Sequence, residues 1–281
     1  RWPTEIVARM GELGFLGMAI PPELGGAGLD NVSYALVVEE ISAACASSGV
    51  IMSVNNSLFC DPLYKFGTEQ QKQEILAPTA AGKQLGCFGL TEPDFGSNPG
   101  GMITNIKDAG DHYILNGAKT WISNAPFADI AVVWAKDETG RIRGMVLERG
   151  MEGFSTPSIH NKWSLRASAT GELVFDNVKV PKANLLPNKS GLGAPMGCLD
   201  SARYGIAWGT LGVAMECYDT ALRYSKERIL FDRPVAAAEI AVAVPAAHQF
   251  LIVEPVAAGM VGEEAAALAR PGKVRQLPVL E

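Results

Sequence analysis

Two changes of hydrophobic period divide this chain of 281 residues into three parts, and no other feature constrains its fold as strongly. Over residues 2–85 apolar side chains recur at the spacing of amphipathic helices. From Gly86 the period shortens to that of strands, and Asn116-Gly117 between two strand-like runs predicts a hairpin. Helical spacing returns at about Pro195.

The returning helical segment carries two kinds of apolar position. Larger side chains are predicted to lie on or near one face: Leu199, Ile206, Val213, Cys217, Ala221 and Tyr224. Three glycines weaken the same helix and would let another helix, or a cofactor, approach closely: Gly205, Gly209 and Gly212. Residues 232–281 are rich in alanine and carry five prolines, which forbid any long unbroken helix.

This order predicts an α+β fold in three domains. We expect an N-terminal helical domain over residues 1–85 and a middle β-barrel or sandwich domain over residues 86–194. A C-terminal helical bundle, divergent after residue 231, is expected over residues 195–281. Within the first domain, Thr68 and Gln71 predict a capping box at the start of a short helix.

Charge and hydropathy exclude two classes of function. The net charge is −6 and the basic residues are scattered, so no stripe that could follow a nucleic-acid backbone is present. The longest apolar stretches are interrupted well before bilayer length, and the first ten residues are amphipathic without a cleavage site. We therefore expect a soluble protein with no membrane span and no export signal.

The cysteines and histidines predict a reducing compartment and no metal centre. Five cysteines, an odd number, are widely spaced and mostly flanked by apolar or small residues. The three histidines stand at no metal-ligand spacing from one another or from a cysteine.

Four strings resemble motifs of the acyl-CoA dehydrogenase family and follow one another in the family's order. They are Cys87-Phe-Gly-Leu-Thr-Glu-Pro-Asp-Phe-Gly-Ser97, Leu115-Asn-Gly-Ala-Lys-Thr-Trp-Ile-Ser-Asn124, Leu165-Arg-Ala-Ser-Ala-Thr-Gly171 and Arg228-Ile-Leu-Phe231. The resemblance covers roughly residues 6–231. It implies an FAD-dependent oxidoreductase that desaturates an acyl-CoA between its α and β carbons and passes the electrons to an electron-transfer flavoprotein.

The resemblance also implies a flavin site. A reduced, anionic flavin needs hydrogen-bond donors at its pyrimidine edge and at N5, and a flat apolar partner that shields the ring from water. In the family, a Thr-Glu-Pro segment supplies donors, a Trp-Ile-Thr segment lays its indole beside the ring, and an Arg-x-x-Phe reaches the dinucleotide end in a neighbouring subunit. The matching residues are Phe88, Gly89, Leu90, Thr91, Trp121, Ile122, Ser123, Arg228 and Phe231.

Three further residues match substrate contacts of the family. Ser97 matches the serine that touches the thioester, while Asp200 and Arg203 match positions that meet the CoA moiety. Since Arg228 and Phe231 would act across a subunit boundary, the resemblance implies a homo-oligomer, a tetramer, whose FAD binding depends on assembly. The implied compartment is the mitochondrial matrix or the bacterial cytoplasm.

The two halves of the chain resemble different branches of the family. Gly49-Val-Ile-Met-Ser-Val-Asn-Asn-Ser-Leu58 is similar to the short-chain, or butyryl-CoA, branch, whereas Lys162-Trp-Ser-Leu-Arg-Ala-Ser-Ala-Thr-Gly171 is similar to the glutaryl-CoA branch. Glutaryl enzymes hold the distal carboxylate with an arginine just before Met-Ser-Val, since a buried carboxylate needs a charged partner. Gly49 stands there, so we expect a short uncharged acyl chain. Oxidative decarboxylation of glutaryl-CoA to crotonyl-CoA is the alternative.

The glutamate that the resemblance implies as catalytic base is absent from both family positions. No aromatic-Glu-Gly-Thr string occurs, and the other position, one residue before Arg203, is Ala202. The remaining tail glutamates are expected to be solvated surface carboxylates: Glu239, Glu254, Glu263, Glu264 and Glu281. The catalytic residue is therefore unassigned, and a non-catalytic flavin- or CoA-binding relative is a third hypothesis.

The tail also lacks the long helices of the family's C-terminal bundle. We expect it to reflect a shifted reading frame, an uncertain sequence assignment or a truncation with unrelated residues appended. The first residue likewise falls inside what the resemblance implies is a longer helical domain.

Overall fold

The computed structural model describes residues 2–237 of the chain. Contacts divide the chain into two compact units, Arg1–Glu216 and Cys217–Glu281. The predictions about the tail glutamates lie outside the described residues: Glu239, Glu254, Glu263, Glu264 and Glu281. Most of the residues 232–281, for which the absence of a long helix was predicted, likewise lie outside the described residues.

The N-terminal part is helical, as predicted. Its helices are α1 Thr4–Glu12, α2 Asn31–Ala44, α3 Ala46–Val54, α4 Asp61–Phe66, α5 Glu69–Gln71 and α6 Ala77–Ala80. A π-helical turn, Asn55–Cys60, joins α3 to α4, and a second, Lys72–Leu76, joins α5 to α6. The capping box at α5 is confirmed, because Thr68 Oγ1 accepts from the Gln71 amide and the Gln71 side chain accepts from the Thr68 amide.

Two buried asparagines in the first π-helical turn bind the helices to the sheet. Asn56 accepts a hydrogen bond from the Met18 amide at 2.7 Å and donates to the carbonyls of Phe15 and Met52. Asn55 donates to the Leu16 carbonyl and accepts from the amide of Gly86, the first residue of the sheet. Three backbone groups of the loop that follows α1 are thereby paired inside the protein.

The middle part is a single nine-stranded sheet. The strands are β1 Gly86–Gly89, β2 Asn105–Asp108, β3 His112–Ser123, β4 Ile130–Lys136, β5 Ile142–Glu148, β6 Phe154–Ser155, β7 Ser158–Ile159, β8 Thr170–Pro181 and β9 Leu185–Ser190. The hydrogen-bonded path runs β6-β8-β3-β2-β4-β5-β9, with β1 beside β4 and β7 beside β8. Since the two ends of this path are not paired with each other, the sheet is not closed as a barrel. Of the two predicted forms, barrel or sandwich, the barrel is therefore wrong, while the all-β character is confirmed.

The predicted Asn116-Gly117 hairpin is also wrong. Strand β3 continues through both residues, and the register against β8 shifts between Leu115 and Gly117. The Asn116 amide group donates to Asn177 Oδ1, and the Asn177 backbone amide donates to Asn116 Oδ1, which stabilises a bulge in the strand pair. A Cβ on Gly117 would lie 2.5 Å from Thr104 Oγ1, so glycine is needed for close approach rather than for a turn.

Strand β4 is buried on both faces because its side chains alternate between two cores. One set packs with the N-terminal helices: Ile130, Val132 and Trp134. The other set packs with the remaining strands: Ala131, Val133 and Ala135. Strand β1 lies parallel to β4, with Phe88 opposite Val132. The predicted site residues Phe88 and Gly89 are therefore hydrogen-bonded neighbours of this deeply buried strand.

Helix α7 spans Gly193–Glu227, and its buried face differs from the predicted one. Within the first unit the buried residues are small: Ala194, Pro195, Cys198, Ala202, Gly205, Gly209 and Gly212. Ile206, predicted on the apolar face, is 44% exposed. A Cβ on Gly209 would lie 2.8 Å from Ser42 Oγ, and one on Gly212 would lie 2.1 Å from the Glu39 carbonyl oxygen. The glycines therefore admit α2, a helix, rather than a cofactor.

All five cysteines are free thiols. Burial raises the pKa of Cys87 and of Cys198 to about 12, so both thiols stay protonated at neutral pH. Among the helices in residues 2–237, none combines the length and the apolar character that crossing a membrane requires.

We expect Gly212→Ala to lower the free energy of unfolding by about 1–3 kcal/mol, because the added methyl group overlaps the α2 backbone. Gly197→Ala is the matched control in the same helix, since its added Cβ would meet no atom within 4 Å apart from the adjacent backbone of the helix itself. There the better helix propensity of alanine should raise stability by about 0.5–1 kcal/mol. Urea unfolding measures both, and equal effects would contradict this packing.

Candidate active site

Eight of the twelve predicted site residues line one cavity of about 280 Å³ in the first unit. Its lining comprises Val54, Leu58, Phe88, Leu90, Thr91, Gly96, Ser97, Pro99, Trp121, Ile122, Ser123, Met196, Leu199 and Arg203. The strings around Thr91 and Trp121 are therefore brought together in space, as are Ser97 and Arg203.

A bulge in β3 presents Trp121 to the cavity. Lys119 pairs with Leu173 and Ile122 with Gly171, so two residues of β3, Thr120 and Trp121, stand opposite one residue of β8. Trp121 has φ +60° and is 63% exposed, whereas its neighbour Ile122 is buried. The left-handed conformation costs a non-glycine residue about 1–2 kcal/mol. Such a conformation persists where the surrounding structure imposes it, and here it turns an indole out of the sheet.

Thr91 is fixed to the same bulge. It lies two residues after the end of β1, and its carbonyl accepts a hydrogen bond from the Thr120 amide at 2.9 Å. Thr120, the residue before Trp121, is thus hydrogen-bonded directly to Thr91. Ser123, at the end of β3, also lines the cavity, so two hydroxyl-bearing residues and one tryptophan contribute to the same lining.

A buried ion pair lies directly behind these residues. Lys119 Nζ is 2.7 Å from Glu92 Oε1, and both side chains are buried, with exposed fractions of 0% and 1%. Burial lowers the pKa of Lys119 to about 8, although the Glu92 carboxylate opposes this shift. Burial would raise the pKa of Glu92, but hydrogen bonds from Lys119, Thr104 and Ile103 outweigh it and hold that pKa below its usual value. Both groups are therefore mainly charged at pH 7.

Asn124 fixes the end of β3. It is fully buried, has φ +69°, and its amide nitrogen lies 3.3 Å from the Gly86 carbonyl oxygen and 3.4 Å from that of Ile51. Its backbone amide also donates to the Ala169 carbonyl at 2.8 Å. The residue after Ser123 thus contacts α3, β1 and the loop before β8.

Two predicted residues of the first unit do not line the cavity. Gly89 packs inside the sheet, where a Cβ would lie 2.7 Å from Leu173 Cδ1. Asp200 is exposed on α7 and pairs with Arg203 through an oxygen 2.5 Å from Nη1. Asp200 can therefore orient Arg203, which does line the cavity.

Arg228 and Phe231 belong to the second unit, of which the structure describes Cys217–Ala237. Arg228 immediately precedes a two-stranded ribbon, β10 Ile229–Leu230 with β11 Arg233–Pro234, and Phe231 lies in the turn between the two strands. The Val235 amide donates to the Arg228 carbonyl. Phe231 has φ +49° and is 93% exposed in the turn. Their predicted contact with the cofactor of a neighbouring subunit stays a prediction.

Within residues 2–237, no carboxylate lines the cavity. Ala202, the second family position for the base, is buried with its methyl group inside the protein. The same part of the chain holds no cluster of three or more His, Cys, Asp or Glu side chains that could bind a metal ion.

Sequence reasoning missed four apolar residues of the lining. Val54 and Leu58 stand four residues apart across the junction of α3 and the π-helical turn, and Met196 and Leu199 lie one turn apart on α7. A spacing of three or four residues was visible in the sequence, but it is equally typical of core residues. Gly96 and Pro99 carried no signal beyond that of a turn.

Three family models match consecutive parts of the chain. The acyl-CoA dehydrogenase N-terminal domain matches residues 1–83, the acyl-CoA dehydrogenase middle domain matches residues 87–178, and the acyl-CoA dehydrogenase C-terminal domain matches residues 189–247. The order of the three models follows the helical, β and helical parts of the fold.

Similar proteins cover most of this chain but are longer. The mitochondrial short-chain specific acyl-CoA dehydrogenase of Mus musculus is 43% identical over 240 residues, which are 83% of this chain and 58% of that protein. A glutaryl-CoA dehydrogenase from Mycobacterium smegmatis in complex with FADH2 has a TM-score of 0.86 and 43% identity, covering 89% of this chain and 64% of the other. Butyryl-CoA dehydrogenase from Megasphaera elsdenii has a TM-score of 0.80 and 35% identity, covering 89% and 70%.

We expect Glu92→Gln to lower the free energy of unfolding by about 3–5 kcal/mol at pH 7, because it leaves the Lys119 ammonium buried without a countercharge. The deficit should shrink with acid. Because the folded state holds the pKa of Glu92 below its usual 4.5, the unfolded chain binds more protons between these two values. The stability that the carboxylate contributes is therefore complete above pH 4.5 and is lost as the pH falls through the folded pKa. Urea unfolding across this range tests it, and a deficit independent of pH would contradict it.

Proposed function

Since this chain belongs to the acyl-CoA dehydrogenase family, we propose that it binds FAD and desaturates an acyl-CoA thioester between its α and β carbons. The observation that carries the proposal is that Thr91, Trp121 and Ser123 line the same cavity. Two hydroxyl donors beside one flat aromatic side chain form the donor set that an anionic isoalloxazine requires. Bound FAD would supply the hydride acceptor.

The residues of the chain would divide the remaining work. Thr91 and Ser123 offer hydroxyls to the flavin edge, while Trp121 excludes water from its face. Ser97 contacts the thioester end of the substrate, and Arg203, oriented by Asp200, meets the anionic CoA moiety. Phe88, Leu90 and Ile122 supply the apolar floor. The base that removes the α-proton is assigned to no residue between 2 and 237.

We assign an uncharged short acyl chain as the substrate. A Cβ on Gly49 would lie 2.0 Å from Ser42 Oγ, so a side chain at this position is directed at α2 rather than into the cavity. The wall formed by Val54, Leu58 and Met196 is apolar, and Arg203 is the one charged residue of the lining among the described residues. Without a second cation, a distal carboxylate would be buried unpaired. The 43% identity to a short-chain specific enzyme supports the same assignment.

Oxidation and decarboxylation of glutaryl-CoA is the second candidate. It is supported by the glutaryl-CoA dehydrogenase from Mycobacterium smegmatis, which has 43% identity and a TM-score of 0.86. In this case Arg203 would have to serve the distal carboxylate instead of the CoA moiety, or a cation outside residues 2–237 would enter the cavity.

The wider setting is part of the same proposal. We propose an electron-transfer flavoprotein as the electron acceptor, a homotetramer in which Arg228 and Phe231 reach a neighbouring subunit's FAD, and the mitochondrial matrix or bacterial cytoplasm as the compartment. Mitochondrial and bacterial relatives support the last point. The three-domain division at residues 85 and 194 also stays a proposal.

We expect purified protein to bind FAD and Trp121→Ala to bind it about tenfold more weakly, because the substitution removes the aromatic partner of the ring. Trp163→Ala is the matched control, since Trp163 is fully exposed and does not line the cavity. Titration by quenching of flavin fluorescence measures both affinities. Equal losses in the two variants would contradict the assignment of Trp121.

Product analysis separates the substrate candidates. With butyryl-CoA we expect bleaching of the flavin absorbance and a crotonyl-CoA product, since the apolar wall accepts an uncharged chain. With glutaryl-CoA we expect neither turnover nor carbon dioxide. Release of carbon dioxide with a crotonyl product would replace the first candidate by the second, and absence of bleaching with either substrate would favour the non-catalytic binding protein.

A further inference from the structure

We propose that Glu92 and Lys119 are positioning residues that fix the substrate side of the cavity relative to its flavin side. The inference rests on the proposed function, because it assumes that Ser97 faces an acyl-CoA and Trp121 a flavin. It goes further by assigning the alignment of these two ligands to one buried ion pair that touches neither of them.

The carboxylate of Glu92 closes the loop that carries Ser97. Its Oε2 accepts from the Ile103 amide at 2.7 Å, and its Oε1 accepts from the Thr104 amide at 3.1 Å. Residues 93–102 therefore form a loop whose two ends are held together by the Glu92 side chain. This loop contributes Gly96, Ser97 and Pro99 to the lining. The position of the loop over the cavity depends on these two hydrogen bonds.

Lys119 connects that closure to the flavin side. It lies in β3 two residues before Trp121, at the last paired position before the bulge. Its ammonium donates to Glu92 Oε1 at 2.7 Å and to the carbonyl of Leu90, a lining residue, at 3.1 Å. Through one nitrogen atom the bulge, the Leu90-Thr91 segment and the closed loop are held in one arrangement.

Stability alone does not account for a charged pair at this place. Removing two charges from water is expensive, and apolar residues of similar size often stabilise a core as well or better. Apolar side chains, however, could not accept the amides of Ile103 and Thr104 or donate to Leu90. The other ion pairs in the described part of the chain have at least one partly exposed partner, as in Lys72–Glu69. A buried carboxylate with three donors around it is suited to fixing a geometry.

The test compares binding of both ligands in four variants. Glu92→Gln keeps the shape of the side chain but faces one backbone amide with an NH2 group, so one loop-closing bond is lost. Glu69→Gln removes the exposed pair with the same 2.7 Å separation and is the control. Ser97→Ala and Trp121→Ala each alter one side of the cavity. Affinities for FAD and for butyryl-CoA are measured by fluorescence titration and calorimetry, at a temperature where circular dichroism shows every variant folded.

We expect Glu92→Gln to weaken both FAD and butyryl-CoA about tenfold. Ser97→Ala should weaken only the acyl-CoA, Trp121→Ala only FAD, and Glu69→Gln neither. A purely structural pair would lower the unfolding midpoint of Glu92→Gln and leave both affinities unchanged, which would overturn the inference while the proposed function stands. If the unsubstituted protein binds neither ligand, the proposed function fails, and the inference fails with it.

A charge-reversed pair provides a second test. Glu92→Lys combined with Lys119→Glu restores opposite charges, but an ammonium at position 92 cannot accept hydrogen bonds from Ile103 and Thr104. We therefore expect the double variant to keep both affinities as low as Glu92→Gln does. Recovery of wild-type affinities would show that charge neutralisation suffices and would overturn the positioning role. If the double variant does not fold, the comparison of Glu92→Gln with Glu69→Gln decides.

Discussion

The ion pair between Glu92 and Lys119 is the interaction on which the arrangement of the cavity depends. It joins two strings that lie 27 residues apart, one following β1 and one inside β3. Neither string forms a site by itself, because the segment after β1 is only a turn and the segment in β3 is only one side of a bulge. Joined by a buried carboxylate and ammonium, they bring Thr91, Trp121 and Ser123 to the lining of one cavity. The local chemistry of the site is thus a consequence of a long-range contact.

Near this pair the backbone of β3 is strained, and the surrounding sheet stabilises the strained conformations. Trp121 and Asn124 both adopt positive φ, with Ile122 and Ser123 between them, and an isolated strand would relax these conformations. The pairing of β3 with β8 on both sides of the bulge holds the first, and the buried contacts of Asn124 hold the second. Strand β4, packed between two cores, anchors β1 beneath them. Rigid strands therefore carry the irregular residues that face the cavity.

The sequence predicted what depends on local pattern and failed where distant contacts decide. The capping box of Thr68 and Gln71 and the change from helix to sheet at Gly86 follow from neighbouring residues alone. The Asn116-Gly117 hairpin failed because Asn177 and Thr104, both remote in sequence, hold these two residues within a continuous strand. The prediction of the buried face of α7 failed because α2 packs directly against the backbone of α7. The glycines of α7 are therefore buried, and Ile206 is exposed. The grouping of Thr91 with Trp121 was accessible only through family resemblance.

A crystal structure of this chain with FAD tests the central claim most directly. The account predicts that the isoalloxazine lies in the cavity, with the hydroxyls of Thr91 and Ser123 within hydrogen-bond distance of the ring and the indole of Trp121 beside its face. A flavin bound elsewhere, or one in this cavity that none of the three side chains contacts, would contradict it.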